Sequence, residues 1–360
     1  MARNIKKVVV KIGSSVIAPG GHLDSALVSK IVKDILNAEN QGVKVVLVSS
    51  GATACGLTKL GYKRRPLDIH SLMAISSVGQ ILLMDVFNAK FKRYDRKCAQ
   101  MLFTWDDFED RTRFKNMSKI IEKLLSMKII PVINANDAIS HEEIKFGDND
   151  RLSARVADLV GAEQLIILSD VAGLLKEDKV VAVVDKIDSE IEALVKIEDK
   201  THTSGGMYTK LEAAEMASFS GIMTRIAYGR EKNIICRILN GEALGTLFMP
   251  SSKIGKARKR WIAFSKKIKG TICIDDGAKD ALMNKGKSLL GVGITKIDGD
   301  FKKDDAVSVV DMKDIILGCG LVNYSFNELD LKKNRLEKEV IHRDNFVQVT
   351  KGCCWKTSKN

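Results

Sequence analysis

Two kinds of residue in this 360-residue chain are placed to do chemistry together. The first is lysine in positions that ordinarily disfavour it. "VVKIGSS" puts Lys11 at the end of an apolar run, followed by Gly13, Ser14 and Ser15. A cation at the tip of a buried strand is costly unless it reaches water or meets an anion. Gly13 allows close backbone approach, and the N–H groups beyond it can cradle an anion. A snorkelling lysine and an anion site both satisfy this pattern, and the strand alone does not choose between them. "HTSGGMYTKLEAAEMA" (202–217) repeats the theme. Ser204, Gly205 and Gly206 lead through Met207, Tyr208 and Thr209 into a helix with Lys210 in its first turn. The helix dipole disfavours a cation there unless an anion is also present. Phosphate at that N-terminus would resolve the conflict, and a plain Gly-rich connector is the other reading.

The second kind is the short polar side chain in clusters. "NAND" (134–137) supplies Asn134 and Asp137, and "EIKFGDND" (143–150) ends in Asp148, Asn149 and Asp150. Single Asx residues are ordinary in turns and helix caps. Three in succession, with a second cluster upstream, point to a group that is cationic or rich in hydrogen bonds. The spacing lacks the later bidentate glutamate of a calcium loop, so no residue is assigned as a metal ligand. Two nucleotide signatures are excluded. No G-x-G-x-x-G follows the first apolar run, and "ALMNKGKS" (281–288) has Ala281 where a phosphate-binding loop needs its first glycine.

The elements that must position these residues follow from periodicity. "KKVVVKIG" (6–13) and "VKVVLVSS" (43–50) are apolar on both faces and read as buried strands. "AQMLF", "KIIPVIN" and "QLIILSD" are further strands. Between them lie helical patterns: one capped by Asp24 with Leu27, Ile31 and Ile35 on one side, and a long one from about Asp68 to Lys92. This alternation predicts an α/β fold, a three-layer αβα sandwich around a mostly parallel sheet. Ligands gather at the carboxyl ends of such strands. There the sequence places Gly13 and Ser14, Ser50 and Gly51, Asn134 to Asp137, and Ser169 with Asp170. Around residue 250 the character changes to a basic connector, "PSSKIGKARKRWIAFSKKIKG". Short strands with close Gly and Asp spacing follow, the pattern of a small β-barrel.

Composition is that of a globular chain, 45% hydrophobic and 29% charged. No uninterrupted apolar run approaches a membrane span, and Lys11 breaks the first run too early for a signal peptide, so no membrane partner and a cytoplasmic location are expected. The net charge of +13 invites a nucleic-acid partner, although a lysine-rich solvated surface accounts for it equally. Seven cysteines without a C-x-x-C pair read as reduced thiols.

In order along residues 6 to 248, "VVKIGSS", "VSSGA", "GQ", "RTRFKN", "PVINANDA", "EIKFGDNDRLSA", "LSDVAGL", "SGGMYTKLEAA" and "GTLF" resemble the amino-acid kinase family, specifically its glutamate 5-kinase branch. "ARKRWI" (257–262), the C-terminal segment and "HRD" (342–344) are similar to the bacterial form that carries a PUA domain. The resemblance implies domains at 1–258 (kinase) and 268–348 (PUA), a linker at 259–267 and a tail at 349–360. It implies transfer of the ATP γ-phosphoryl group to the side-chain carboxylate of L-glutamate, with Mg²⁺ arriving on the nucleotide, as the first step of proline synthesis. A carboxylate is already ionised at neutral pH, so no general base is required. Lys11 and Lys210 are expected to clamp phosphate, with Asp150 organising them. Ser50, Asp137 and Asn149 are implied as glutamate contacts, and Ser169, Asp170 and residues 204–210 as ATP contacts. By donor and acceptor chemistry Asp137 and Asp148 suit the ammonium of glutamate, while Asn134 and Asn149 can donate to its carboxylates. Ser50 and the backbone from Gly51 would complete that cradle. The family further implies proline as feedback inhibitor, a homo-oligomer and a separate reductase, and RNA is a conceivable partner of the tail. The chain departs from the family at Ser169 and Ser204, where Thr is usual, and at Tyr208, where a small residue is typical. "GLLKEDKVVAVV" also lacks the family's ADPR-like loop.

Overall fold

The computed structural model describes residues 5–139, 149–195, 206–251, 257–332, 336 and 338–348. The chain separates into two compact units, 1–254 and 255–360.

The first unit is built on eight strands: β1 (Lys7–Ile12), β2 (Lys44–Ser49), β3 (Lys97–Phe103), β4 (Ile129–Ala135), β5 (Gln164–Ser169), β8 (Val183–Val184), β9 (Met223–Tyr228) and β10 (Thr246–Phe248). Their order across the sheet is β3-β4-β2-β1-β5-β9-β10-β8. All neighbours are parallel except β9 and β10. The chain builds outward on one side of β1 and then crosses to β5 on the other, so a crevice opens at the carboxyl end of β1. A tight hairpin, β6 (Leu175–Lys176) and β7 (Lys179–Val180), occupies the stretch that departs from the family's loop. Its turn residues Glu177 and Asp178 both have positive φ, the conformation a two-residue hairpin turn requires.

Helices of the first unit are α1 (Ser14–Ile17), α2 (Ser25–Asn40), α3 (Ala52–Lys59), α4 (Ile69–Lys92), α5 (Trp105–Glu109), α6 (Arg111–Ser126), α7 (Asn149–Val160), α8 (Ser189–Ala193), α9 (Met207–Phe219) and α10 (Ile234–Leu239). Period-two alternation along β1 distributes them. Val8, Val10 and Ile12 enter one core with Val28, Ile31 and Ile35 of α2, Leu83, Phe87 and Phe91 of α4, and Ile235 of α10. Val9 and Lys11 are turned the opposite way, and α7 packs against β1 and β5. Asp24 caps α2 by accepting from Leu27 N, and Asp68 caps α4 through His70 N and Ser71 N.

Helix α4 is long and apolar enough, by length and composition alone, to cross a membrane, although no uninterrupted apolar run in it spans one. Ser, Gly and Gln interrupt its apolar runs without lowering its mean hydropathy much. Leu72, Ile75, Leu83, Phe87 and Phe91 are buried within the fold.

In the second unit, α11 (Ala257–Ser265) is helical within the stretch read as a connector. Strands β11 (Ile268–Ile274), β12 (Ile294–Gly299), β13 (Ala306–Val310), β14 (Ile316–Leu321) and β15 (Phe346–Gln348) form a separate mixed sheet in the order β12-β11-β13-β14-β15. Helices α12 (Asp276–Met283) and α13 (Phe326–Lys332) accompany it. Its own core includes Ile272, Ile274, Phe301, Val307, Val309 and Phe346.

Candidate active site

Three segments far apart in sequence meet at Asp150. Lys11 stands at the carboxyl end of β1, on the face opposite Val10 and Ile12. Asp150 lies in the first turn of α7, and Lys210 in the first turn of α9, which packs on α7. The Lys11 Nζ is 2.5 Å from Asp150 Oδ1, and the Lys210 Nζ is 3.2 Å from Oδ2. Thr209 Oγ1 donates to the same Oδ2 at 2.9 Å. Arg151 and Glu212 form an ion pair one step along each helix, with Arg151 Nε donating to Glu212 Oε2 at 2.8 Å, and this holds α7 and α9 in register.

All three charged groups are buried, with relative exposures of 4% for Lys11, 1% for Asp150 and 5% for Lys210. Burial opposes ionisation of Asp150, but the two ammonium groups outweigh it and hold its carboxyl below the usual carboxylate range. Burial pushes Lys210 down; Asp150 pulls it back up while Lys11 opposes that recovery. One carboxylate thus faces two ammonium groups. The two buried ammonium groups repel one another, a condition that an incoming phosphate relieves.

Around this cluster lie the other groups expected on the nucleotide side. Gly13 precedes α1, and its backbone N–H is occupied by Leu168 O at 3.0 Å. The exposed Ser14 and Ser15 begin α1, where first-turn N–H groups have no acceptor within the helix. Ser169 Oγ donates to Asp170 Oδ1 at 3.0 Å, and Asp170 acts electrostatically on Lys210. Gly206 precedes α9 and its carbonyl accepts from Thr209 Oγ1 at 3.0 Å; Met207 is half-buried and Tyr208 exposed. Ser204, Gly205 and Asp148 lie outside the described residues.

The neighbouring residue in α7 begins a second, neutral subsite. Asn149 Nδ2 donates to Ser50 Oγ and to Asn134 Oδ1, both at 2.9 Å, with Ser49 O at 3.4 Å. Asn134 Oδ1 also accepts from Ala135 N, and Asn134 Nδ2 donates to Gln80 Oε1 at 2.8 Å. Asn149 was expected to donate to a substrate carboxylate. Its amide hydrogens are instead taken up inside the protein, and its buried Oδ1 has no partner among the described residues. Asp137 accepts from Ser76 Oγ at 2.7 Å. Burial raises its carboxyl above the usual range, against the opposing effects of Ser76 and Arg65. Gly51 starts α3 with φ of 107°, and a Cβ there would lie 2.9 Å from Ile17, so only glycine suits the turn from Ser50 into the helix.

Sequence reasoning missed Gln80 and Ser76. Both sit on α4, which the sequence showed only as a long apolar helix. The available signal was the "GQ" pair. A Cβ on Gly79 would lie 1.8 Å from Ala52 O, and one on Gly56 1.9 Å from Ile75 O, so α3 and α4 touch backbone to backbone. That approach brings Gln80 and Ser76 to the ends of β2 and β4.

Two ammonium groups, one at a strand end and one in the first turn of a helix, flanked by a neutral amide pocket, suit transfer of an anionic group to a small polar acceptor. Comparison with known proteins agrees. The model of the amino acid kinase family matches residues 6–228, and the PUA domain model matches residues 270–343. A glutamate 5-kinase of Thermoanaerobacter sp. (strain X514) is 39% identical, covering 96% of this chain and 98% of its own. A glutamate 5-kinase of Methylococcus capsulatus (strain ATCC 33009 / NCIMB 11132 / Bath) is 41% identical over 95% of this chain and 97% of its own. Among solved structures, a Giardia carbamate kinase aligns over 69% of this chain and all of its own, at 18% identity and a TM-score of 0.49. The chain belongs to the amino acid kinase family of phosphotransferases, in its glutamate 5-kinase group, and carries a PUA domain.

Proposed function

We propose that this chain transfers the γ-phosphoryl group of ATP to the side-chain carboxylate of L-glutamate, forming L-glutamyl 5-phosphate, the reaction that opens proline biosynthesis. The observation that carries the reading is the convergence of Lys11 and Lys210 on the one carboxylate of Asp150, beside the Ser50, Asn134 and Asn149 network. Lys11 and Lys210 bind the terminal phosphate and neutralise charge on its oxygens as the acceptor attacks. Asp150 keeps both ammonium groups aimed into the cleft when no nucleotide is present. The acceptor carboxylate enters already ionised, so no residue removes a proton from it. Asp137 attracts the α-ammonium of glutamate, and the first turn of α3 after Gly51 offers N–H groups to a carboxylate. Among the described residues no cluster of His, Cys, Asp or Glu is arranged to hold a metal. Mg²⁺ arriving on the nucleotide would supply charge neutralisation across the phosphates.

The test is ADP release from ATP and Mg²⁺ with L-glutamate, against aspartate, N-acetylglutamate, carbamate and UMP as acceptors, with hydroxamate formation in hydroxylamine identifying the acyl phosphate made from glutamate. Glutamate alone should give rapid turnover. Equal turnover with another acceptor sinks the assignment. Repeating the assay with proline tests feedback inhibition, and sedimentation tests the homo-oligomer, both carried over from the family. The acyl phosphate is labile, so a separate reductase must consume it. An RNA partner is motivated by the PUA match and the +13 charge. A salt-dependent shift assay on the full chain decides it: retention that persists in 1 M salt, or none at 50 mM, removes phosphate-backbone binding.

A further inference from the structure

We infer that Gln80 is a positioning residue for the acceptor subsite, setting which atom of Asn149 faces the bound amino acid. The inference rests on the glutamate-kinase reading above. A side-chain amide offers an oxygen at one position and a nitrogen at the other, and a half-turn exchanges them. Nothing in Asn149 alone fixes that choice. The chain of contacts behind it does. Gln80 Oε1 accepts from Asn134 Nδ2, so the nitrogen of Asn134 is committed toward α4. Asn134 Oδ1 therefore faces the other way, where Ala135 N and Asn149 Nδ2 both donate to it at 2.9 Å. Asn149 must present nitrogen to Asn134, and its second N–H meets Ser50 Oγ.

The atom left over is Asn149 Oδ1, buried and without a partner among the described residues. A buried carbonyl oxygen is costly without a donor. An ammonium, which has three donors and no acceptor, is the group that satisfies it. Gln80 thereby acts on an α-ammonium it does not touch. Were the amides reversed, two N–H groups would face that cation and repel it. Gly79, at the backbone contact of α4 with α3, allows Gln80 to reach this far while remaining 9% exposed.

The experiment measures kcat, both KM values and Tm by the hydroxamate assay for wild type, Gln80→Met, Gln80→Leu and Gln80→Glu. Met is close to Gln in shape but has no oxygen, and Leu lacks the oxygen in a different shape. The expected result is a KM for glutamate raised about 10- to 100-fold in Gln80→Met and Gln80→Leu, with the KM for ATP within about threefold. Gln80→Glu, which keeps an oxygen facing Asn134, should restore the glutamate KM to within about fivefold of wild type. Unchanged glutamate KM in Gln80→Met overturns the inference. So does a parallel shift of both KM values and Tm in every variant, which marks Gln80 as a packing residue. A wild-type chain without glutamate-dependent turnover removes the kinase reading and this inference together, whereas an active wild type with an indifferent Gln80→Met removes the inference alone.

Discussion

The two halves of the proposed site are built by opposite means, although consecutive residues of α7 join them. On the nucleotide side Asp150 stands between Lys11 and Lys210, and the relevant quantity is charge. On the acceptor side Asn149 stands between Ser50 and Asn134, and the relevant quantity is the direction of neutral amides. The difference follows from the ligands. A terminal phosphate is a compact anion that any two well-placed ammonium groups will hold. A free amino acid carries a cation and carboxylates a few ångströms apart. A strong field of either sign would favour one of its groups and repel another. Asp137, tempered by burial although Ser76 favours its ionised form, is the moderate charge such a ligand tolerates.

The largest effect should come from breaking the charged half. Lys210→Met is expected to lower kcat by about 10³-fold while the glutamate KM moves little, read by steady-state hydroxamate rates. A small loss in kcat with a large change in glutamate KM would mean that the two halves are not distinct. Asp150→Asn should cost about 10²-fold in kcat, since the lysines lose their guide. It should also cost about 3–5 kcal/mol in denaturant titration, because two buried ammonium groups lose the carboxylate between them. Asp137→Asn sharpens the comparison from the other side. It should raise the glutamate KM about 10- to 100-fold and leave the ATP KM nearly unchanged. Equal changes in both would sink the acceptor assignment.

Acidity separates the halves further, because their aspartates are shifted in opposite directions. Asp150 is held low by its lysines, so its contribution to stability is present above the ordinary carboxylate range and is lost as pH falls through its depressed value. Asp137 is raised by burial, so its contribution to stability is present below the ordinary range and is lost as pH rises through its raised value. For binding the sign reverses, since only the ionised Asp137 attracts an ammonium. The glutamate KM should climb as pH falls through that raised value, approaching about tenfold per unit, with the ATP KM flat. The smallest effect lies on α9, which carries Lys210. Burial, with Glu192 and Glu212 adding to it, raises Glu215 to about 8. Its contribution to stability is lost as pH rises through that value. Glu215→Gln should therefore raise Tm by about 2–4 °C at pH 9, by less at pH 6 and hardly at all at pH 4 by thermal melts.

How much of this was legible depended on whether a residue's role was local. Lys11 and Lys210 stood out because each breaks a local rule, whereas Asp150 was singled out through the family resemblance. A lysine ends a buried strand, and another opens a helix against its dipole. Tertiary structure resolves both violations at one carboxylate. The strands were legible for a similar reason. "VVVKI" and "VVLVS" leave no polar face, so they can only lie inside a sheet covered on both sides. The caps of α2 and α4 at Asp24 and Asp68 were equally local, each aspartate bonding the N–H groups just after it.

The sequence by itself determined the buried strands, the first helix caps and the ordered set of segments that place the chain in its family. These are properties of residues close together in the chain, or of their order along it. Only the tertiary structure decided that Gln80 and Ser76 meet Asn134 and Asp137 and that Asn149 turns its nitrogen toward Asn134 and Ser50. Those facts depend on two helices touching at Gly56 and Gly79 and on an amide choosing between equal halves. Neither leaves a periodic trace along the chain. Orientation of a neutral group is set by its neighbours in space, while charge and burial are already written in residue type and spacing.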